Sequence, residues 1–382
     1  MQTPTDAAAD EISRNSRATQ IVRIENLLYR VPLRQVLVDA GHGDHTHFEL
    51  VISKVHCADG ACGVGYTYTG GKGGTAIRAL LRDEIAGLLH GANSADIAGL
   101  WKKMRQSLHY LGCGGVVGFA ISAVDVALWD LHCRRLGQPL WRVAGGHANT
   151  VPCYRGLIDL GFSEEQLVEV VAAEIARGHT GIKLKVGRPD YQTDVRRVRR
   201  VRDVIGPAAV MMADANYSWD ASTAIAFAKE VAGARLHWFE EPVDPHDFDS
   251  YAAIAQAVDI PLASGENLRT FAEFREAIRH ARLGYLQPDA SNLGGITGWL
   301  EVARHAALHG LKVASHGMHE LHVSLMAAQP NASLLEVHSF PIDEYTHRPF
   351  EVANGIATAP EVPGTGVEFD FARLKPYLVH EG

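Results

Sequence analysis

From Val151 to about His338 the chain alternates two kinds of segment. Short apolar runs (VPCYRGLI, GIKLKV, AAVMMAD, LHWFE, IPLASGE, LGYLQPD, LKVASH and SLLEVH) are separated by longer stretches with helical apolar spacing, such as SEEQLVEVVAAEIARG and DASTAIAFAKEVAGA. Strands alternating with helices of this size predict parallel β/α units, because parallel neighbours need a long crossover and a helix supplies it. Eight such strands in this length fit a closed barrel better than an open sheet.

Ahead of this region the pattern differs. IVRIENLLYRV predicts a strand, and FELVISKVHCADGACGVGYTYT predicts a hairpin turning at Ala58–Ala61. Two polar stretches, VDAGHGDHTH and TGGKGG (Thr69–Gly74), read as loops. Three helical patterns follow: AIRALLRDEIAGLLHG, ADIAGLWKKMRQSLHYL and VGFAISAVDVALWDLHCRRLG. The last stops at Gly137, ahead of Pro139. Strands first and helices after predict an α+β domain. Near the end, GIATAPEVPGTGVEFDFARL returns to short turn-rich segments, expected to pack back on that first domain. The expected division is an extension over 1–18, an α+β domain over 19–145, a barrel over 146–350 and a returning segment over 351–382.

Composition narrows the partners. A length of 382 residues exceeds one ordinary domain, and a formal charge of −8 argues against nucleic acid. No apolar run approaches the roughly 20 residues that span a bilayer, so no membrane partner is expected. The polar start, MQTPTDAAADEISRNSR, lacks the apolar core of a secretory signal and reads as a disordered extension. The five scattered cysteines read as reduced thiols. A cytoplasmic homo-oligomer is the expectation.

Charged residues then supply the chemistry, because each apolar run of the second half ends in one. From Lys185 onward, Asp214, Glu240, Glu266, Asp289, His316 and Glu336 follow at gaps of 20 to 29 residues, about one β/α unit each. Groups at the carboxyl ends of barrel strands converge on one mouth. Asp214, Glu240 and Glu266 make a hard-oxygen set that suits Mg²⁺. Glu241 is expected to point away and play a supporting part. Lys183 and Lys185 lie two apart on a strand and so share a face, where each is expected to depress the pKa of the other. A lysine pushed toward neutrality can act as a general base. Asp289, one strand before His316, can hold that imidazole and raise its basicity. Glu336 faces the same mouth, either as a hydrogen-bond donor or as a loop cap.

In order and spacing these residues resemble the enolase superfamily, mandelate racemase subgroup. The matching motifs are KLK at Lys183–Lys185, DAN at Asp214–Asn216, EEP at Glu240–Pro242 and GEN at Gly265–Asn267. PD…GGITGW at Pro288–Trp299, SH at Ser315–His316 and Glu336 complete the set. The resemblance implies a modified (β/α)₇β barrel under an N-terminal α+β capping domain. It implies Mg²⁺ held by Asp214, Glu240 and Glu266, and a carboxylate substrate whose α-proton is removed to give an enediolate. Lys185 would be one base and the His316–Asp289 dyad the other. Lys183 would contact the substrate carboxylate, and Glu336 would stabilise the enediolate.

This core serves racemisation and dehydration alike, so the choice falls to the capping loops. VDAGHGDHTH offers Asp39, His42, Asp44, His45 and His47, and GYTYTGGKGG offers Tyr66, Tyr68 and Lys72. A wall of such hydrogen-bonding groups favours a polyhydroxylated substrate. The expectation is therefore an acid-sugar dehydratase giving a 2-keto-3-deoxy acid. Asn216, His45, Lys72, Arg155 and Tyr68 are the expected substrate contacts, with Lys72 or Arg155 meeting a distal carboxylate. A racemase of a 2-hydroxy acid is the first alternative, and a non-catalytic metal-binding scaffold the remote one.

Overall fold

A computed structural model describes residues 17–380. The extension expected over 1–18 lies outside the described residues except for its last two. Three antiparallel strands open the fold: β1 (Ile21–Asp39), β2 (Gly43–Cys57) and β3 (Cys62–Thr69). The polar stretch VDAGHGDHTH is not a loop. It forms the tip of the β1–β2 hairpin, with Val38 opposite Asp44 and Asp39 opposite Gly43. Its polarity hid the strands because these side chains face a cavity and not an apolar core.

Helices cover one face of this sheet. A helical run from Gly74 to Leu89, with a π-type turn at Leu81–Ile85, is followed by the helix Ile97–Ser107. The helix Gly115–Leu136 then lies against β2 and β3. Its backbone approaches so closely that a Cβ on Gly65 would sit 2.2 Å from Ala127 N. This helix amends one expectation: by length and composition alone it could cross a membrane, yet 78% of its apolar window is buried inside the protein. Two buried aspartates on it tie the domains together. Asp125 accepts from Thr297 N (2.8 Å), at the start of the barrel helix Gly295–Leu308. Asp130 accepts from Val64 N (3.0 Å) in the cap sheet and Thr365 N (2.9 Å) in the returning segment.

The barrel strands are β4 (Thr150–Gly156), β5 (Gly181–Lys185), β6 (Val210–Asp214), β7 (Phe239–Glu240), β8 (Leu262–Ser264), β9 (Tyr285–Leu286), β10 (Lys312–Val313) and β11 (Leu335–Val337). All eight match the apolar runs of the sequence. Successive strands from β4 to β10 pair in parallel, and β11 pairs with β4. Backbone bonds Val313 N to Asn331 O (3.0 Å) and Ser333 N to Val313 O (2.7 Å) join β10 to the approach to β11, closing the ring. Register sets the site: Lys185 lies opposite Asp214, and Asp214 opposite Glu240.

The returning segment packs on both domains. A hairpin of β12 (Glu351–Ala353) and β13 (Ile356–Thr358) adds antiparallel to the start of β4. The chain then reaches the cap, where Val379 N donates to Leu28 O (2.8 Å) and Arg78 Nη1 donates to Val379 O (2.6 Å).

A buried ion pair supports the strand that carries the lysines. Asp159 accepts from Lys185 N (2.8 Å) through one oxygen and from Arg197 Nη2 (2.6 Å) through the other. Both side chains are buried. Asp159→Ala leaves Arg197 only the more distant Asp194 (3.8 Å) as a carboxylate partner and is expected to cost about 3 kcal/mol of stability, since breaking one side of a buried pair costs roughly 3–5 kcal/mol. Urea unfolding measures it. A loss within 0.5 kcal/mol, about what an ordinary surface change gives, would show that the pair is not holding the strand.

Candidate active site

Lys183 and Lys185 rise from one strand into a group of carboxylates. Lys183 Nζ donates to Glu240 Oε1 (2.6 Å) and lies 2.9 Å from Glu336 Oε1, while Lys185 Nζ donates to Asp214 Oδ2 (2.5 Å). All five side chains are buried. The sequence led to the expectation that the lysines lower one another's pKa, and the structure reverses it. Burial opposes both charges, but Glu240 and Glu336 outweigh it at Lys183, and Asp214 outweighs it at Lys185. Both ammonium groups are thus held above the usual lysine range. Carboxylates at contact distance dominate a like charge on the next inward-facing position. Burial in turn pushes Glu240 up to about 7, against the pull of Lys183. Burial also opposes the charge on Glu336, yet Lys183, with the charged His316, keeps it well below the carboxylate range. Glu336 is therefore an ionised partner of Lys183 that also accepts from Gly317 N (3.0 Å), not a protonated donor.

Asp214, Glu240 and Glu266 each offer an oxygen within 4.8 Å of the other two. Glu240 is already engaged on both sides, since its Oε2 accepts from Trp238 Nε1 (2.9 Å) and Gln287 Nε2 (2.7 Å). Glu266 Oε2 is buried without a hydrogen bond; His316 Nε2 lies 3.2 Å away but out of line. Asn216 Oδ1, beside the trio, is likewise buried and unpaired. Orphaned buried oxygens beside an all-oxygen trio fit a hard divalent cation. Glu241 lies just past the end of β7 at φ 37° and turns away, accepting from Asn267 Nδ2 (2.7 Å). Asn267 also reaches Glu266 Oε1 (3.3 Å), so Glu241 braces a member of the trio.

Across the mouth stands His316. Its strand, β10, is three places from β5 one way round the ring and five the other. Nδ1 bonds Asp289 Oδ2 at 2.9 Å. Burial disfavours the imidazolium, but Glu266, the Asp289 bond and Glu336 override it and push His316 up to about 10. The neighbouring ring of His338 (centroids 5.3 Å apart) is buried and held well below the usual histidine range, so it stays neutral.

Lys185, Glu266, Asp289 and His316 open onto a cavity of about 680 Å³ between barrel and cap. Asn216, His45, Lys72 and Tyr68 also line it, as the sequence suggested for substrate contacts. His45 reaches it from the hairpin tip, with its Nε2 on Asp39 Oδ2 (2.8 Å). Tyr68 lines the wall, but its hydroxyl is turned to Asp289. Arg155 does not line the cavity, and its assignment is corrected. Its Nη1 donates to the carbonyls of Val337 (3.0 Å) and His338 (2.8 Å), and its Nε lies 3.8 Å from Glu174. One residue short of the strand end, it points to the helix side of the barrel, where alternation sends it. Tyr66 is also drawn away, bonding Glu320.

Several wall residues were not anticipated as contacts, among them His338, Arg269 and Asn267. His338 was legible, because it lies two residues beyond Glu336 at a strand end and must share its face, as Lys183 and Lys185 do. Arg269 and Asn267 sit in a loop, where no period predicts direction.

Comparison with known proteins agrees with this architecture. Residues 28–145 match the family "Mandelate racemase / muconate lactonizing enzyme, N-terminal domain", and residues 166–373 match "Enolase C-terminal domain-like". A 3,6-anhydro-alpha-L-galactonate cycloisomerase of Streptomyces coelicolor is 41% identical over 93% of this chain and 98% of its own length. An L-talarate/galactarate dehydratase of Salmonella typhimurium is 37% identical over 76% of this chain and 73% of its own. A crystal structure of a racemase from Streptomyces coelicolor with bound magnesium superposes with TM-score 0.91 at 40% identity, covering 94% of this chain and all of that one. Fold and site together define an enzyme of the enolase superfamily. Within it, the chain belongs to the mandelate racemase/muconate lactonizing enzyme family.

Proposed function

We propose that the protein removes the α-proton of an acid sugar and expels the oxygen on the β-carbon, converting a free 3-hydroxy acid sugar into its 2-keto-3-deoxy acid. The observation that supports this best is the pairing of two bases, Lys185 and the Asp289-held His316, across a mouth where Asn216, Asn267 and Arg269 offer hydrogen bonds beside apolar Ile77, Phe119 and Ile158. The polar groups of this wall suit the hydroxyls of a polyol.

The cofactor is Mg²⁺, which Asp214, Glu240 and Glu266 would hold; bound there it would act as a Lewis acid, stabilising the second negative charge on the substrate carboxylate. The remaining work falls to side chains. Lys183, fixed between Glu240 and Glu336, holds a permanent positive charge beneath the carboxylate. With Asp214 drawn to the cation, the contact that holds Lys185 charged would be relieved, and Lys185 would take the α-proton from one face. His316, kept charged by Asp289 and Glu266, gives a proton to the departing β-oxygen. Asn216, Lys72 and His45 orient the hydroxyl chain.

The same cleavage extends to a β-oxygen held in a 3,6-anhydro ring, the substrate type in the name of the Streptomyces coelicolor relative. There the ring opens and no water leaves. A panel of acid sugars and their 3,6-anhydro forms, incubated with Mg²⁺ in D₂O, tests the reading. A 2-keto-3-deoxy product is expected. A product differing from substrate only in α-configuration, deuterated there and with every hydroxyl kept, would replace the elimination reading with racemisation.

A further inference from the structure

Asp289 is held from two domains. Ser291 N donates to its Oδ1 (2.7 Å), and His316 Nδ1 bonds its Oδ2 (2.9 Å). The same Oδ2 accepts from the hydroxyl of Tyr68 at 3.1 Å, and Tyr68 stands on β3 of the cap. Its ring is fixed by Phe340, edge-on at 6.0 Å between centroids. The backbone just after His316 makes room for the hydroxyl. A Cβ on Gly317, whose φ is +59°, would lie 2.0 Å from Tyr68 Oη. A buried tyrosine usually finds some partner for its hydroxyl. Here the partner is the one oxygen that orients the imidazole, and the space for the contact is cleared in the segment carrying that imidazole.

We infer that Tyr68 is a positioning residue for His316. Its hydrogen bond fixes the Asp289 carboxylate plane and through it the direction of His316 Nε2, so the cap completes one of the two bases. The inference rests on the proposed reaction in taking His316 as a group that acts on substrate. Among the described residues, Lys185 makes no hydrogen bond to the cap. Its ammonium partner, Asp214, and its backbone partner, Asp159, both belong to the barrel. Loss of the Tyr68 hydroxyl should therefore damage one face of the site and spare the other, which a general loosening of the cap would not do.

Tyr68→Phe keeps the ring packing and deletes the hydrogen bond. The test follows α-proton exchange in D₂O with Mg²⁺-loaded enzyme, using galactonate and talonate, aldonates epimeric at their single α-carbon. The epimer whose exchange His316→Asn abolishes is expected to slow about 10–100-fold in Tyr68→Phe, the usual effect of removing a group that orients another. The epimer handled by Lys185 should keep its rate within about twofold, and KM should hold for both. Equal slowing of both epimers, or of neither, overturns the inference. Wild-type enzyme exchanging neither would instead count against the acid-sugar reading. The inference is then decided by ¹⁵N-histidine spectra of the Mg²⁺-loaded protein. There the His316 ring signals, assigned by their loss in His316→Asn, should move in Tyr68→Phe while those of His179 stay. Identical His316 signals in the two proteins overturn it whatever the substrate.

Discussion

His316→Asn should lower elimination by a factor of about 10²–10⁴, the range a positioned acid or base contributes. The asparagine keeps a donor near Asp289 but cannot carry a proton to the departing β-oxygen. His338, the nearest other imidazole, is buried and held neutral, so it cannot stand in as an acid. Lys185 remains beside Asp214 with Lys183 and the carboxylate trio intact. Exchange of the α-proton on the Lys185 face should therefore survive while product formation does not. Single-turnover product analysis together with deuterium incorporation measures both quantities. Retention of more than a tenth of wild-type elimination would remove His316 from the proton-transfer step.

Dialysis against a chelator should abolish turnover, and Mg²⁺ should restore it; the sharper form of this prediction uses Glu266→Gln. Of the trio, Glu240 makes a poor target, because Lys183, Trp238 and Gln287 all bond to it, and its loss would unsettle a buried network. Glu266 holds an oxygen without a hydrogen bond, so its substitution removes a cation ligand at small structural cost. Calorimetry should show Mg²⁺ affinity reduced by at least about 10-fold, with turnover falling in step and far-UV circular dichroism unchanged. Undiminished Mg²⁺ affinity in Glu266→Gln would place the cation elsewhere.

The barrel was legible in the sequence because its signal is periodic. Each apolar run had to be a strand, and each terminal charge had to face the mouth. Lys183 and Lys185, two apart on one strand, and Asp214 and Glu240, matched in register, follow from that rule alone. Legibility failed where direction depends on packing. Arg155 is a cation near a strand end, but the alternation places it on the outer face, one residue before the inward position. The hairpin tip around Asp39–His45 reads as a loop because its polar side chains show no apolar alternation. Strands lining a polar cavity carry no apolar mark. The lysine pKa values failed for another reason: spacing showed the like charge two residues away and not the carboxylates brought from other strands.

The returning segment has a mechanical consequence. A lid riveted to its base at one end can swing like a door. The chain itself rivets this cap twice, once where the helix Gly115–Leu136 leads into the barrel and again where Val379 is clasped by Leu28 and Arg78 after the chain has crossed β4, and the bonds of Asp125 and Tyr68 to the barrel add to both. Such a lid cannot swing without breaking one rivet. The rim of the cap that borders the cavity is then the hairpin tip, bonded to the barrel through Val38 and His42, and the glycine-rich strip that carries Lys72.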